Sequence, residues 1–178
     1  MVKVKSYANI AIVKYWGKKD AEKMIPATSS ISLTLNDMFT ETEMEFIKNE
    51  NIKIAVEKEM KNGNCKDKFS NMTDLFYLNG ELQDKVHTEK ISKVVDLFRE
   101  NRSQKVKIST TNNMPTAAGL SSSSSGLSAV IKACNELFGK NYAQSELAQI
   151  SKFGSGSSSR SFFGPIAAWD KDTGEIYE

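Results

Sequence analysis

Apolar and polar residues alternate along much of the first half of the chain. Val2, Val4 and the run to Val13 read as a strand that enters a turn at Trp16-Gly17-Lys18-Lys19. Ile31, Leu33 and Leu35 keep a period of two, as do Met44 with Phe46 and Ile52, Ile54 with Val56. These stretches are expected to be strands of an antiparallel sheet with one buried face. Residues 58–73 are polar, carry Asn62-Gly63-Asn64, and are expected to form a mobile surface loop. Phe76-Tyr77-Leu78 then runs into the turn pair Asn79-Gly80.

The period then changes. Ile91, Val94, Val95 and Phe98 recur at helical spacing, with Thr88 as the expected N-cap. Val106 and Ile108 return to strand alternation. Leu127, Val130, Ile131, Cys134, Leu137 and Phe138 make the cleanest helical stripe in the chain, and Ser145 can cap a further helix carrying Leu147 and Ile150. Strands first and helices interleaved afterwards, with no repeat and no linker, predict one α+β domain over residues 1–178. Its mixed sheet is expected to be covered by helices near residues 88–101, 121–138 and 145–153. Trp169-Asp170-Lys171-Asp172-Thr173-Gly174-Glu175 reads as a hairpin turn that leaves only Ile176 and Tyr177 for the return strand. On that ground the chain is expected to be truncated.

Composition narrows the functional classes. A chain of 178 residues with 39% hydrophobic content can bury one respectable core. Lys+Arg at 24 against Asp+Glu at 22 leaves a net charge of +2, which predicts neither a nucleic-acid nor a membrane partner. Basic chemistry therefore falls to a few placed residues. No run approaches the roughly 18 apolar residues a membrane span needs. Residues 1–14 lack the uninterrupted apolar stretch of a signal peptide, so a cytoplasmic protein is expected. Cys65 and Cys134 have no metal spacing: Cys134 reads as a core residue and Cys65 as a plain thiol in a polar stretch. The lone histidine, His87, lies among charged residues ahead of a helix and reads as a surface residue, so a Ser-His-Asp arrangement has little to stand on.

Three segments carry candidate chemistry. Pro115-Thr116-Ala117-Ala118-Gly119-Leu120 leads into Ser121 to Ser125 and Gly126, delivering a turn into the N-terminus of the 121–138 helix. The first turn of a helix has unpaired N–H groups and the positive end of the dipole. Small residues there admit a phosphate, and serine hydroxyls add donors or a Mg²⁺ ligand. A Ser-rich linker is the plain alternative, but a well-formed amphipathic helix follows with no spacer. No G-x-x-x-x-G-K-[ST] occurs. Gly154-Ser155-Gly156-Ser157-Ser158-Ser159-Arg160 surrounds one guanidinium with donors suited to a carboxylate or phosphate; a helix C-cap followed by a surface loop is the alternative. Residues 9–19 crowd Tyr15, Trp16, Lys14, Lys18 and Lys19 at a strand end, the usual address of ligand residues, although taken alone they also fit packing and a solvated turn.

Together and in this order, these segments resemble the GHMP family of small-molecule kinases and, within it, the diphosphomevalonate decarboxylases. Pro115-x-x-x-Gly119-Leu120-x-Ser122-Ser123 resembles the GHMP phosphate-binding motif. Ala8-Asn9-Ile10-Ala11 with Lys14-Tyr15-Trp16-Gly17-Lys18 resembles the decarboxylase N-terminal signature, and Ser155-Gly156-Ser157-x-x-Arg160-Ser161 its substrate loop. Pro26-x-Thr28-Ser29-Ser30-Ile31-Ser32-Leu33-Thr34-Leu35 extends the similarity.

The resemblance implies a GHMP-kinase N-terminal domain with a fold like domain 2 of ribosomal protein S5. It also implies phosphorylation of the tertiary hydroxyl of mevalonate 5-diphosphate by ATP and Mg²⁺, followed by loss of phosphate and CO₂ to give isopentenyl diphosphate. By the same resemblance, Tyr15 and Lys18 contact the substrate diphosphate, while Ser155, Gly156, Ser157 and Arg160 hold substrate, Arg160 on its carboxylate. Gly119, Leu120, Ser121, Ser122, Ser123 and Ser124 bind ATP phosphates, with Ser122 or Ser123 on Mg²⁺. Asn9 acts through Tyr15 and Arg160, so Lys18, Arg160 and Asn9 are the catalytic candidates. A homodimer is implied for the complete enzyme.

Two departures stand out. The family's Gly-Leu-Ala-Ser-Ser reads Gly119-Leu120-Ser121-Ser122-Ser123 here, and no residue matches the family's catalytic aspartate in an Asp-Ala-Gly segment. Inactivity of this chain alone is therefore expected. The competing readings are a GHMP kinase that phosphorylates without decarboxylating, and a non-catalytic nucleotide- or RNA-binding piece. The Lys14–Lys18 signature and the Ser155–Arg160 loop argue against the first, and the near-neutral charge against RNA.

Overall fold

The computed structural model describes residues 1–14, 16–20, 22–64, 66–69, 71–114 and 122–178, with the backbone alone for Lys66 and Ser122. In chain order the strands are β1 (Val2–Val13), β2 (Lys18–Asp20), β3 (Ile25–Pro26), β4 (Ser30–Phe46), β5 (Leu75–Leu78), β6 (Glu81–Leu82), β7 (Val106–Asn112), β8 (Ile166–Trp169) and β9 (Ile176–Tyr177). The helices are α1 (Asn49–Lys61), α2 (Lys85–Val95), α3 (Ser122–Leu137) and α4 (Gln144–Gly154), with 3-10 turns at Lys66–Lys68 and Ser158–Phe162.

The 17-residue β4 organises the sheet. β1 pairs antiparallel along nearly its whole length, from Val2 opposite Met44 to Val13 opposite Ile31. The other edge of β4 is therefore shared: β7 takes residues 40–46 and β8 takes residues 30–33. β5 joins β7 in parallel, and β6 and β9 close the two ends, so the sheet is mixed and the fold is α+β as expected. β2 and β3 form a separate small hairpin.

Leu75 and Phe76, neighbours on β5, point to opposite faces as strand geometry requires and belong to two different cores. The larger core joins Met44, Val106, Ile108 and Trp169 of the sheet to Val95, Phe98, Val130, Ile131 and Cys134. The smaller one gathers Ile52, Phe69, Met72 and Leu75. Cys134 is fully buried as expected, whereas Cys65 lies outside the described residues.

Several local expectations are corrected. Ile52, Ile54 and Val56 lie in α1 rather than in a strand. Ile52 and Val56, four apart, face the smaller core, while Ile54 is 65% exposed. Residues 58–73 are not a uniform polar loop, because α1 runs to Lys61 and Phe69 and Met72 are buried. The N-cap of α2 is Asp84, whose carboxylate accepts the His87 N–H at 2.9 Å. Thr88 is buried inside the helix. α4 starts at Gln144 after Ala143, whose N–H is taken by Glu146 at 2.7 Å, so Ser145 is helical rather than a cap. His87 is exposed in the first turn of α2, with Asp84 at 2.8 Å. Among the described residues, no helix is long and apolar enough to cross a membrane.

Candidate functional site

The start of β4 reverses the pattern its sequence suggests, whereas Met44 near its end is buried as expected. Ser30, Ser32, Thr40, Thr42 and Met44 are buried, while Ile31 and Leu33 remain more than a third exposed. The reason lies in the 3-10 turn Ser158–Phe162, which lays Arg160 against the start of β4. Arg160 is only 2% exposed. Its Nη1 donates to Ser30 Oγ at 2.7 Å and its Nε to Ser32 Oγ at 3.1 Å. These two hydroxyls are neutral acceptors that fix the orientation of the guanidinium.

Asn9 holds the same turn from β1. Its Nδ2 donates to Ser157 O at 3.0 Å and to Ser161 Oγ at 2.7 Å, on either side of Arg160. A register shift between Tyr7 and Ala8 interrupts the β1–β4 ladder there. Such an irregularity re-aims successive side chains, and both Ala8 and Asn9 are buried. Ser159 Oγ donates to Gly156 O at 2.8 Å, and Ser158 Oγ to Ser155 O at 2.6 Å, closing the loop that leaves α4. Ser155 and Ser157 stay partly exposed with their hydroxyls 3.1 Å apart, so both can reach a ligand.

The serine-rich helix start adjoins this cluster. Ser128 lies about 9 Å along α3 from Ser122. It meets Ser6 Oγ at 2.7 Å, and Ser6 donates in turn to Ser161 O at 3.3 Å. At the N-terminus of α3, Ser123 is exposed, whereas Ser124 and Ser125 are fully buried, with Ser125 Oγ 2.7 Å from Thr40 Oγ1. Gly119, Leu120 and Ser121 lie outside the described residues, as does Tyr15.

Lys18 stands on β2, exposed and without a side-chain hydrogen bond or ion pair among the described residues. Its segment is nevertheless tied to the site, because Trp16 N–H donates to Thr28 Oγ1 at 2.9 Å, two residues before Ser30. The described residues thus bring Asn9, Ser157, Arg160, Ser30 and Ser32 into one network and leave Lys18 apart from it. Ser6 and Ser128 went unnoticed in the sequence, since small hydroxyl residues at strand and helix positions carry no local signal of their own. Among the described residues no group of three or more His, Cys, Asp or Glu could hold a metal. A divalent cation at the α3 N-terminus would therefore depend on hydroxyls and on the phosphates of a ligand.

The fold and this site define an α+β domain with a hydroxyl-held arginine beside a serine-rich helix start. The model of the diphosphomevalonate decarboxylase-like N-terminal domain matches residues 6–76 and 65–176. The chain belongs to that family. It is 34% identical over 190 aligned positions to the diphosphomevalonate decarboxylase of Schizosaccharomyces pombe, covering 98% of this chain and 42% of the relative. Mevalonate pyrophosphate decarboxylase from Streptococcus pyogenes superimposes with a TM-score of 0.81 at 54% identity, over 99% of this chain and 50% of that one. A solved complex of MDDEF with MVAPP, AMPPCP and magnesium has a TM-score of 0.75 at 35% identity, over 99% and 49%. The architecture is thus that of GHMP-kinase-fold decarboxylases. The chain spans about half the length of these solved relatives.

Proposed function

We propose that residues 1–178 form the ATP- and substrate-binding domain of an ATP-dependent decarboxylase that converts mevalonate 5-diphosphate to isopentenyl diphosphate. The observation that carries this reading is the Arg160 guanidinium held by Ser30 and Ser32 and flanked by the two contacts of Asn9. A fixed guanidinium can orient the substrate carboxylate for its departure. Ser155 and Ser157 offer hydroxyls to the same ligand, and Tyr15 and Lys18 take its diphosphate end.

The exposed Ser123 at the α3 N-terminus, with Gly119, Leu120, Ser121, Ser122 and Ser124 of the same segment, binds ATP phosphates and Mg²⁺. The fit is specific to each serine: the hydroxyl of Ser123 is accessible, while Ser124 is buried and serves through the backbone. ATP supplies the phosphoryl group that turns the tertiary hydroxyl into a leaving group, and Mg²⁺ offsets phosphate charge. Arg160 and Asn9 keep the carboxylate in place while phosphate and CO₂ depart. Turnover requires an aspartate base that these residues do not contain. The working enzyme is a cytoplasmic homodimer.

Calorimetric titration of the 178-residue chain with mevalonate 5-diphosphate, after circular dichroism confirms folding, tests the proposal. Saturable binding that is lost in Arg160→Ala, with mevalonate and homoserine inert, is expected. Equal binding by Arg160→Ala, or tighter binding of homoserine, would overturn the substrate assignment.

A further inference from the structure

Lys132 is an unusual residue for the buried side of a helix. It projects from α3 and is largely withdrawn from water, with burial holding its ammonium below the ordinary lysine range. No carboxylate lies within ion-pair distance among the described residues, and the undescribed ones include no Asp or Glu. Its Nζ has only long contacts, to Ser6 Oγ at 3.4 Å and Ser161 O at 3.5 Å, plus the Phe162 ring at 5.3 Å. Such a charge costs free energy unless something opposite in sign reaches it.

The space for that partner is present. Lys132 lines a cleft of about 380 Å³ together with Tyr7, Thr34, Asn36, Ser161 and Gly164. That volume lies at the small end of ligand sites. The lining supplies a phenol, hydroxyls and an amide as neutral hydrogen-bonding groups, and no acid. Thr34 fixes the 163–165 segment as one wall: its Oγ1 donates to Phe163 O at 3.2 Å, and its N–H to Pro165 O at 2.9 Å.

We propose that the Lys132 cleft binds a small oxyanion, of the class of inorganic phosphate or a short carboxylate. Ser161 joins this cleft to the Arg160 turn, since its carbonyl faces Lys132 while its hydroxyl meets Asn9. Occupancy is thereby felt by the turn that carries Arg160.

Amide NMR of the 178-residue chain, titrated with inorganic phosphate or acetate at constant ionic strength set by chloride, tests the site. Saturable shifts at Asn36, Ser161 and Gly164 are expected with phosphate, at least about tenfold weaker in Lys132→Met and retained in Lys132→Arg. Acetate moving the same amides supports a general oxyanion site, and phosphate alone moving them supports a tetrahedral one. Shifts confined to residues 123–125 and 155–160, or reproduced by chloride, overturn the proposal. Should Lys132→Met fail to fold, the ¹⁵Nζ resonance of Lys132 in the unmutated chain decides: movement with phosphate supports the site, and no movement sinks it.

Discussion

Arg160 donates from Nη1 to the Ser30 hydroxyl at 2.7 Å, joining positions 130 residues apart in the chain. Both residues are almost wholly buried, so the contact is shielded from water and worth more than a surface hydrogen bond. Ser30→Ala should lower stability by about 1–3 kcal/mol, the range for leaving a buried charged donor short of an acceptor. Ser32→Ala, at 3.1 Å, should cost less. A double-mutant cycle of Ser30→Ala with Arg160→Met in urea unfolding isolates the pair. Strict additivity would mean that the contact contributes nothing beyond its parts.

The chain's other buried arginine has a structural task. Arg99 Nη2 lies 2.6 Å from Asp74 Oδ2, with both side chains almost completely buried. The same carboxylate accepts from Ser92 Oγ at 2.6 Å and from the Val106 N–H at 3.0 Å. Asp74 thus ties α2 to the start of β7. Asp74→Ala should destabilise by up to about 3–5 kcal/mol, because among the described residues it leaves the buried guanidinium only Asp96, whose Oδ1 lies 2.8 Å from Nε, as a carboxylate partner. Asp74→Asn, which keeps an acceptor, should cost less. Urea midpoints of the two variants check the order, and equal midpoints would assign the loss to the carboxylate's charge rather than to its role as a hydrogen-bond acceptor.

These two arginines also show which parts of the molecule were legible in the residues. The α3 stripe from Leu127 to Phe138 and the Val106–Ile108 alternation each have one period and one meaning, and both came through. Ile52-Ile54-Val56 did not, because spacing of two contains the i,i+4 pair that a helix uses. At the start of β4 the alternation was right but the faces were exchanged. Burial followed Ser30 and Ser32 because a distant guanidinium needed their hydroxyls, and no local pattern encodes a partner 130 residues away. The same limit hid Lys132, whose surroundings come from β1, β4 and the 161–165 loop. The Asp84 cap of α2 was readable in principle, since Asp ranks above Thr at that position.

Cys134 gives a chemical check on the main core. It is fully buried, with Met44 Sδ at 3.9 Å, and burial pushes its thiol well above the ordinary cysteine range. Thiolate is the reactive form, so iodoacetamide should leave Cys134 untouched in the native chain and label it in urea. Peptide mass spectrometry reads the position directly. Native labelling of Cys134 at the rate of free cysteine would mean that α3 leaves the sheet on the timescale of the reaction.

Lys132 should make stability depend on pH in a direction opposite to that of a salt-bridged lysine. Its folded-state pKa lies below its ordinary 10.5 because burial disfavours the ammonium. Between those two values the unfolded chain binds more protons than the folded one, so stability rises with pH there. The penalty is complete below the folded pKa and is relieved as pH climbs toward 10.5. Lys132→Met removes it, at the loss of two long hydrogen bonds and one ring contact. The variant should therefore melt above the unmutated chain near pH 7 in chloride, with the gap shrinking toward about pH 10. Comparing the two chains cancels the contribution of Cys134, whose buried thiol ionises in that range only once the chain unfolds. Phosphate near pH 7 should narrow the gap from the other side, by stabilising the lysine-bearing chain alone. A melting difference that ignores both pH and phosphate would show that the buried ammonium is neither the source of the strain nor the seat of an anion.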